Sequence, residues 1–348
     1  MTLRILSAAL ALSLVALPAA AQGYKAPRNA LGQPDLQGNW TNATITPLTR
    51  PSKFGDRLVL TPAEAAALEQ ATKEQVARAD APTPPHLKVT ELKNADCGAD
   101  GISGFNCGYN QGWKDPGTRV IDFNGEKRAS IIVEPKNGQL PPLTKEAQEK
   151  RRARMSQARN FDGPEARAIG ERCILSFGSS AGPPMLPLMY NNTYSIVQTK
   201  DAVLIEVEMV HDTRIIRLNA KHDPSNIRKW MGDSIGRWEG DTLVIETINM
   251  RPEQGLRGGS ENQKVTEWLT RISPTTIKYR FKVEDPGVYS QPFVGEVAFN
   301  ATKGHIYEYA CHEGNYAMEG ILAGARLAEK EGRTLEGASG QVREEGSN

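Results

Sequence analysis

From residue 193 onward, apolar and polar residues alternate with period two, and the alternation persists almost to the C-terminal end. Residues 194–199, 203–218, 234–238, 242–250, 265–272, 277–283 and 305–311 all read as strands on this basis. Glu239-Gly240-Asp241, Ser273-Pro274 and Asp285-Pro286-Gly287 supply the turns between them. In 277–283, Ile-Lys-Tyr-Arg-Phe-Lys-Val, the alternation is unbroken, so one face must be wet and the other buried. Upstream, 119–133 reads as a hairpin, because Asn124-Gly125 supplies the positive φ angles of a tight primed turn. So many consecutive strands need closure to protect their edges. The expected fold is mainly β: an antiparallel meander closed as a barrel or sandwich over residues 119–133 and 193–312, with a few peripheral helices.

Period 3.6 is confined to three places. Thr61-Pro62-Ala63-Glu64 forms a capping box with proline at the first helical position, and 65–79 is made of strong helix formers. Thr144 caps a polar helix running to about residue 160, and 318–330 forms a third. Gly32 to Asp35 is a loop entering a short strand at Gly38-Asn39-Trp40, and 80–118 is rich in Pro, Gly and Asn and irregular. The Gly/Pro/Ser-rich run 178–187 is either a linker or an ordered loop lining a cleft; its apolar ending, Pro184-Met185-Leu186-Pro187, favours the loop. The expected organisation is a signal segment (1–21), an N-terminal arm with one helix (22–118), a β-rich domain (119–331) and a disordered tail (332–348). No internal repeat is found.

Charge and composition narrow the function. Arg4, the apolar stretch 5–17 and Ala19-Ala20-Ala21 have the layout of a secretory signal peptide cut after Ala21. The chain has 42 Lys plus Arg against 41 Asp plus Glu, so loss of Arg4 leaves no formal net charge. That balance disfavours nucleic acid, and the one basic run, Lys150 to Arg154, sits on a helix among Glu146 and Glu149 as a solvated face. No later stretch has the ~20 apolar residues needed to cross a bilayer, and a periplasmic or secreted protein is expected. Export permits disulfides. Four cysteines allow three pairings; Cys97 with Cys107 across a Gly-rich segment, and Cys173 with Cys311, is favoured. A zinc site is the alternative, but there is no C-x-x-C and no paired Cys/His spacing.

Three stretches carry candidate chemistry. In 203–218, taken as one strand, His211 falls on the apolar face with Val203, Ile205, Val207, Met209, Thr213 and Ile215. Glu206, Glu208, Asp212 and Arg214 fall on the other face, which meets solvent or lines a polar cavity. His211 is then either a hydrogen-bonded core residue or a catalytic one. The run Tyr307-Glu-Tyr-Ala-Cys-His-Glu-Gly-Asn-Tyr316 is dense in titratable groups at a strand end. His312-Glu313 begins like H-E-x-x-H, but position 316 is Tyr, so no second imidazole completes a zinc site. The third stretch is 230–244, where Asp241 serves a turn while Asp233 and Arg237 could stand at a barrel rim near His211. No G-x-S-x-G elbow, phosphate loop or dinucleotide fingerprint is present, and no cofactor is expected.

The blocks Arg128-Ala-Ser-Ile-Ile-Val-Glu-Pro-Lys-Asn-Gly-Gln-Leu-Pro-Pro-Leu-Thr144, Glu208-Met-Val-His-Asp-Thr-Arg-Ile-Ile216, Trp230 through Val244 and Tyr307 through Tyr316 resemble those of a large family of exported proteobacterial and acidobacterial proteins. The resemblance implies export and a shared fold and brings no activity with it. Gly38-Asn39-Trp40 is also similar to the G-x-W of the first lipocalin strand. Two functions are therefore weighed. One is a cofactor-independent acid–base enzyme (lyase, isomerase or hydrolase) on a small organic molecule. It would use His211 as base, Asp212 or Asp233 as its partner, Arg214 on an anionic group, and His312 with Glu313 as acid. The other is a lipocalin-like barrel binding an apolar or aromatic ligand among Trp40, Trp113, Trp230 and Trp238.

Overall fold

Alternating burial along Thr276–Glu284 repeats the sequence pattern residue for residue: Ile277, Tyr279, Phe281 and Val283 are buried, and the Lys, Arg and Glu residues between them are not. This strand is one stave of a closed barrel. The computed structural model describes residues 24–79, 114–157, 161–176, 179–254, 256, 258–336 and 341–343. The signal segment, Cys97, Cys107 and Trp113 lie outside them.

In chain order the elements are β1 (Gly38–Thr41), α1 (Pro62–Ala79), β2 (Asp122–Phe123), β3 (Glu126–Lys127), β4 (Ile132–Glu134), α2 (Lys145–Gln157), β5 (Thr193–Gln198), β6 (Ala202–Val207), β7 (Asp212–Leu218), β8 (Asp233–Glu239), β9 (Thr242–Ile248), β10 (Lys264–Ser273), β11 (Thr276–Glu284), β12 (Phe293–Ala301), α3 (Tyr316–Lys330), β13 (Thr334–Glu336) and β14 (Gln341–Arg343). The sheet runs β1-β5-β6-β7-β8-β9-β10-β11-β12, and β12 returns to β1 through Trp40 opposite Ala301 and Thr41 opposite Asn300. Nine strands thus close on themselves, and β4 attaches to the outer edge of β12. Pairing around the ring is antiparallel except between β7 and β8, which are parallel; parallel neighbours need a long crossover, and residues 219–232 supply it.

The capping boxes form as the sequence implies. Thr61 N–H donates to Glu64 Oε2 at 2.8 Å while Glu64 N–H donates to Thr61 Oγ1 at 3.3 Å. Thr144 Oγ1 accepts the Ala147 N–H at 3.1 Å. Asn124 and Gly125 both have positive φ, 55° and 97°, in the turn joining β2 to β3. The inner barrel is aromatic: Trp40, Tyr194, Tyr279, Phe281, Phe293 and Phe299 are fully buried, with Phe299 tilted against Tyr194 and edge-on to Tyr279.

Three sequence expectations change. Residues 203–218 are not one strand. β6 ends at Val207, a short turn spans Met209 to His211, and β7 starts at Asp212 as the second arm of a hairpin with Val207 opposite Asp212. Val210 (φ 64°) and His211 (φ 55°) take the left-handed conformation, and the turn reverses which parity faces inward. Beyond it Arg214 and Ile216 are buried while Ile215 is exposed, and His211 is exposed at the turn rather than on an apolar face. Second, 305–311 is not a strand: it is extended chain without sheet partners among the described residues, with Tyr307 68% exposed. Third, the last stave is β12, which period two does not reveal because seven of its nine residues are buried on both faces. Its outer face carries Glu296, held by Lys278 and Arg280 at 2.9 Å each. At the tail, β13 and β14 pair as a two-stranded ribbon.

The Gly/Pro-rich run is an ordered loop reaching the barrel's inner cluster. Met185 is fully buried and its N–H donates to Tyr279 Oη at 2.9 Å. Tyr194 Oη donates to the Ser180 carbonyl at 2.8 Å, and Gln254 Nε2 to that of Gly182 at 3.2 Å. Gly182 needs its positive φ of 74°, and a Cβ there would stand 2.8 Å from Met185 Cγ.

Candidate functional site

The site is built where the β6–β7 turn meets the chain leaving β12. Residues 302–315 have no sheet to hold them, and three of the contacts that fix them lie at the site. Tyr307 N–H donates to Glu208 Oε1 at 3.4 Å, and Tyr309 N–H donates to His211 Nε2 at 2.7 Å. Cys311 is bonded to Cys173, with Cα atoms 5.6 Å apart. The left-handed pair Val210-His211 matters here: such backbone is uncommon for a non-glycine residue and costs on the order of 1–3 kcal/mol. It turns the imidazole out of the barrel toward Tyr309. Glu208, 5% exposed, also accepts the Thr193 N–H at 3.3 Å, so its carboxylate ties β5, the turn and the C-terminal segment together.

Between these elements lies a hollow of about 220 Å³ walled by His211, Asp212, Glu308, His312, Glu313 and the Cys173–Cys311 bridge. A larger one of about 550 Å³ adjoins it and shares Glu308, Tyr309, Ala310 and the bridge as walls. Met318 and Ile321 of α3 line its far side. Asp212 is the distinctive group. One of its carboxylate oxygens, Oδ2, is shut off from solvent and has no hydrogen-bond partner among the described residues. Burial pushes its pKa up to about 7, because desolvation disfavours the anion. A carboxyl half protonated near neutrality, beside two imidazoles and two further carboxylates, can take up or release a proton from a bound molecule.

Of the residues singled out from sequence, His211, Asp212, His312 and Glu313 therefore share one hollow. While Tyr309 donates to it, His211 Nε2 can carry no proton, so this ring positions the segment through Nε2 and offers only Nδ1 to solvent. The other two are corrected. Arg214 holds no external anion. It lies inside the barrel, where its guanidinium donates to Glu267 Oε1 at 2.9 Å and Oε2 at 2.6 Å, and Tyr279 Oη donates to Oε1 at 2.7 Å. Burial alone would lower the Arg214 pKa, but the charge and hydrogen bonds of Glu267 raise it, so the guanidinium stays charged inside the barrel. The parity change at the turn is the cause, since it sends Arg214 inward.

Asp233 does not partner His211 either. It accepts from Arg217 at 2.7 Å, from the Asp223 N–H at 2.8 Å and lies 2.8 Å from His222 Nδ1. Burial pushes its pKa up, yet the Asp223 N–H, His222 and Arg217 outweigh that and lower it. This cluster fastens the β7–β8 crossover to β8, and His222 reaches on to Glu246 Oε1 at 3.3 Å. Arg237 is exposed and paired with Glu239. Glu208, Glu267 and Glu308 are not signalled as site or anchor residues by any local spacing. Glu208 meets Tyr307 across 99 residues and Glu267 meets Arg214 across 53, while Glu308 reaches the hollow only because its neighbour Tyr309 is tied to His211.

Three of the four tryptophans singled out from sequence are described. Trp40 is buried with its Nε1 donating to the Leu36 carbonyl at 2.9 Å, Trp230 lies under the Arg251 guanidinium at 4.4 Å, and Trp238 is at the end of β8. Among the described residues no three His, Cys, Asp or Glu side chains are grouped to hold a metal ion, and no helix is long and apolar enough to cross a membrane. No family model matches the chain, and no curated protein does. Among solved structures, it is similar to a mutant of the fluorescent protein UnaG at 17% identity, over 32% of this chain and 72% of that one, with a TM-score of 0.22.

Proposed function

We propose that the hollow around Asp212 is the active site of an exported, cofactor-independent acid–base enzyme working on a small organic molecule, of the lyase, isomerase or hydrolase type. The carrying observation is that Asp212, one of whose carboxylate oxygens is enclosed and unpartnered among the described residues, lines the same hollow as His312 and Glu313. Asp212 is the proton carrier, because a group that titrates near working pH is efficient in both directions. His312 and Glu313, both exposed, deliver or accept the second proton from the open side. His211 positions Tyr309 and the wall it belongs to. Export is supported by the signal-like first 21 residues and by the Cys173–Cys311 bridge, which an oxidising compartment sustains.

The test is a panel of small carbonyl, hydroxy and amino compounds incubated with the protein in D2O and followed by proton NMR for deuterium exchange, elimination or hydrolysis. The expected result is turnover of at least one compound, lost in Asp212→Asn and His312→Asn while neither variant melts below the wild-type protein. Turnover unchanged in both variants overturns the assignment. The closed barrel supports a second reading, a cavity for an apolar or aromatic ligand; in it the 179–187 loop, now seated on Tyr279 and Tyr194, would have to withdraw.

A further inference from the structure

The charges around the two hollows are one-sided. Asp212, Glu308 and Glu313 wall the smaller, and Glu171 and Glu308 the larger, while among the described residues no Lys or Arg lines either. The histidines are His211, whose Nε2 is engaged by Tyr309, and His312. Glu171 is compensated from behind by Arg167 at 2.9 Å; among the described residues no such ion pair serves Asp212, Glu308 or Glu313. The larger hollow, by contrast, turns Ala310, Ala317, Met318 and Ile321 toward its interior space. Arg214, the cation that sequence placed here, is committed to Glu267 inside the barrel.

We infer that the molecule this site takes is an amine with an apolar body, its ammonium in the acidic hollow beside Asp212 and its hydrocarbon or aromatic part against Met318 and Ile321. This rests on the acid–base reading of the same site and names its substrate class. The physical argument is charge matching in a partly desolvated space. An ammonium entering beside Asp212 meets the carboxyl groups of Asp212, Glu308 and Glu313, none of which has an ion-pair partner among the described residues, whereas a carboxylate would add a further negative charge to them. The apolar wall then gains from covering hydrocarbon, and the 550 Å³ of the larger hollow fits an organic molecule of a dozen or so heavy atoms, within the usual range for ligand pockets. Binding must also release protons near neutrality, because a neighbouring cation favours the Asp212 anion over its acid; Glu308, Glu313, His211 and His312 face the same space and set the background of that titration.

The experiment uses the full mature chain and three probes that share a phenylethyl body, 2-phenylethylamine, 2-phenylethanol and 3-phenylpropanoate, each titrated calorimetrically at pH 6, 7 and 8 in two buffers of different ionisation enthalpy. The amine is expected to bind at least tenfold more tightly than the alcohol, with no measurable binding of the carboxylate. Its affinity should rise from pH 6 to 8 with proton release. Ile321→Ser should weaken amine binding at least tenfold, as should the double variant Glu308→Gln/Glu313→Gln, with the melting temperature measured alongside to confirm that each variant is folded. Carboxylate binding equal to or tighter than amine binding overturns the inference, as does amine binding indifferent to Ile321→Ser and to the double variant. Carbon-13 carboxyl NMR of Asp212 in the free protein separates the two layers. If Asp212 titrates near 7 and the amine fails, the substrate class falls and the acid–base site stands; if Asp212 titrates in the ordinary carboxylate range, the acid–base reading itself falls.

Discussion

The backbone N–H of Tyr309 donates to Nε2 of His211 at 2.7 Å across 98 residues of sequence. This bond joins a strained turn to a segment that has no sheet of its own, and it sets His211 apart from His312, which shares the hollow but whose ring makes no hydrogen bond among the described residues. His211→Ala should cost about 1 kcal/mol, the net worth of one hydrogen bond with a partly solvated partner, and should raise hydrogen exchange at the Tyr309 amide. His312→Asn should leave the melting temperature unchanged while removing turnover. Exchange-detected NMR of the Tyr309 amide and melting curves for both variants check the contrast.

Asp212 fixes a pH dependence. Its folded pKa, about 7, lies above the ordinary unfolded carboxylate value near ~3.9, so between those values the native state holds a proton that the unfolded chain has given up. Stability from this residue is therefore full below about pH 4 and falls as pH rises to about 7. Asp212→Asn should abolish that fall and stabilise the protein above pH 7 by on the order of 2–4 kcal/mol, the lower figure allowing for solvent in the open hollow. Urea denaturation of wild type and variant from pH 4 to 8 measures it; parallel curves would show an ordinary Asp212.

Inside the barrel, Arg214 and Glu267 are less than 2% exposed and form a two-pronged ion pair. Removing one partner leaves a buried charge, so Glu267→Gln and Arg214→Met should each cost about 3–5 kcal/mol. Arg214→Met with Glu267→Leu should recover most of that loss, since a matched apolar pair leaves no charge behind. A double-mutant cycle by chemical denaturation gives the coupling directly.

Gly295 in β12 faces the Phe281 ring, and a Cβ on it would stand 2.2 Å from Cζ. Phe281 is fully buried and edge-on to Phe293, 6.5 Å between ring centres, so the ring has little room to yield. Gly295→Ala should destabilise by about 1–3 kcal/mol, read as a lowered urea midpoint. An unchanged midpoint would mean that β12 shifts freely against β11.

The Cys173–Cys311 bridge closes a loop of 138 residues. Chain-entropy arguments give such a bridge about 2–5 kcal/mol. Cys173→Ser should lower the melting temperature and, because the bridge walls both hollows, weaken ligand binding by more than the loss of folded protein accounts for. Calorimetric titration of the folded variant at low temperature separates the two effects.

Period two along 277–283 and the glycine-bearing turns were enough to determine a mainly β fold with a protected edge, barrel or sandwich, since a strand with one wet face must bury the other and a meander of such strands must cover its edges; the choice of a barrel and the parallel β7–β8 pair belong to the folded chain. Local chemistry likewise specified the Thr61 and Thr144 caps and the Asn124-Gly125 turn, whose partners lie within three residues. The strand β12 escaped because double-sided burial erases alternation. The site escaped in part for a different reason. His211-Asp212 and His312-Glu313 stand out as titratable pairs in sequence, but their meeting depends on a turn that reverses strand parity, on two hydrogen bonds from a segment 99 and 98 residues away, and on a bridge between Cys173 and Cys311. The same reversal carried Arg214 to Glu267, and a crossover loop carried His222 to Asp233. Side-chain parity is local until the backbone breaks it, and from that point only the folded chain decides which charges share a space.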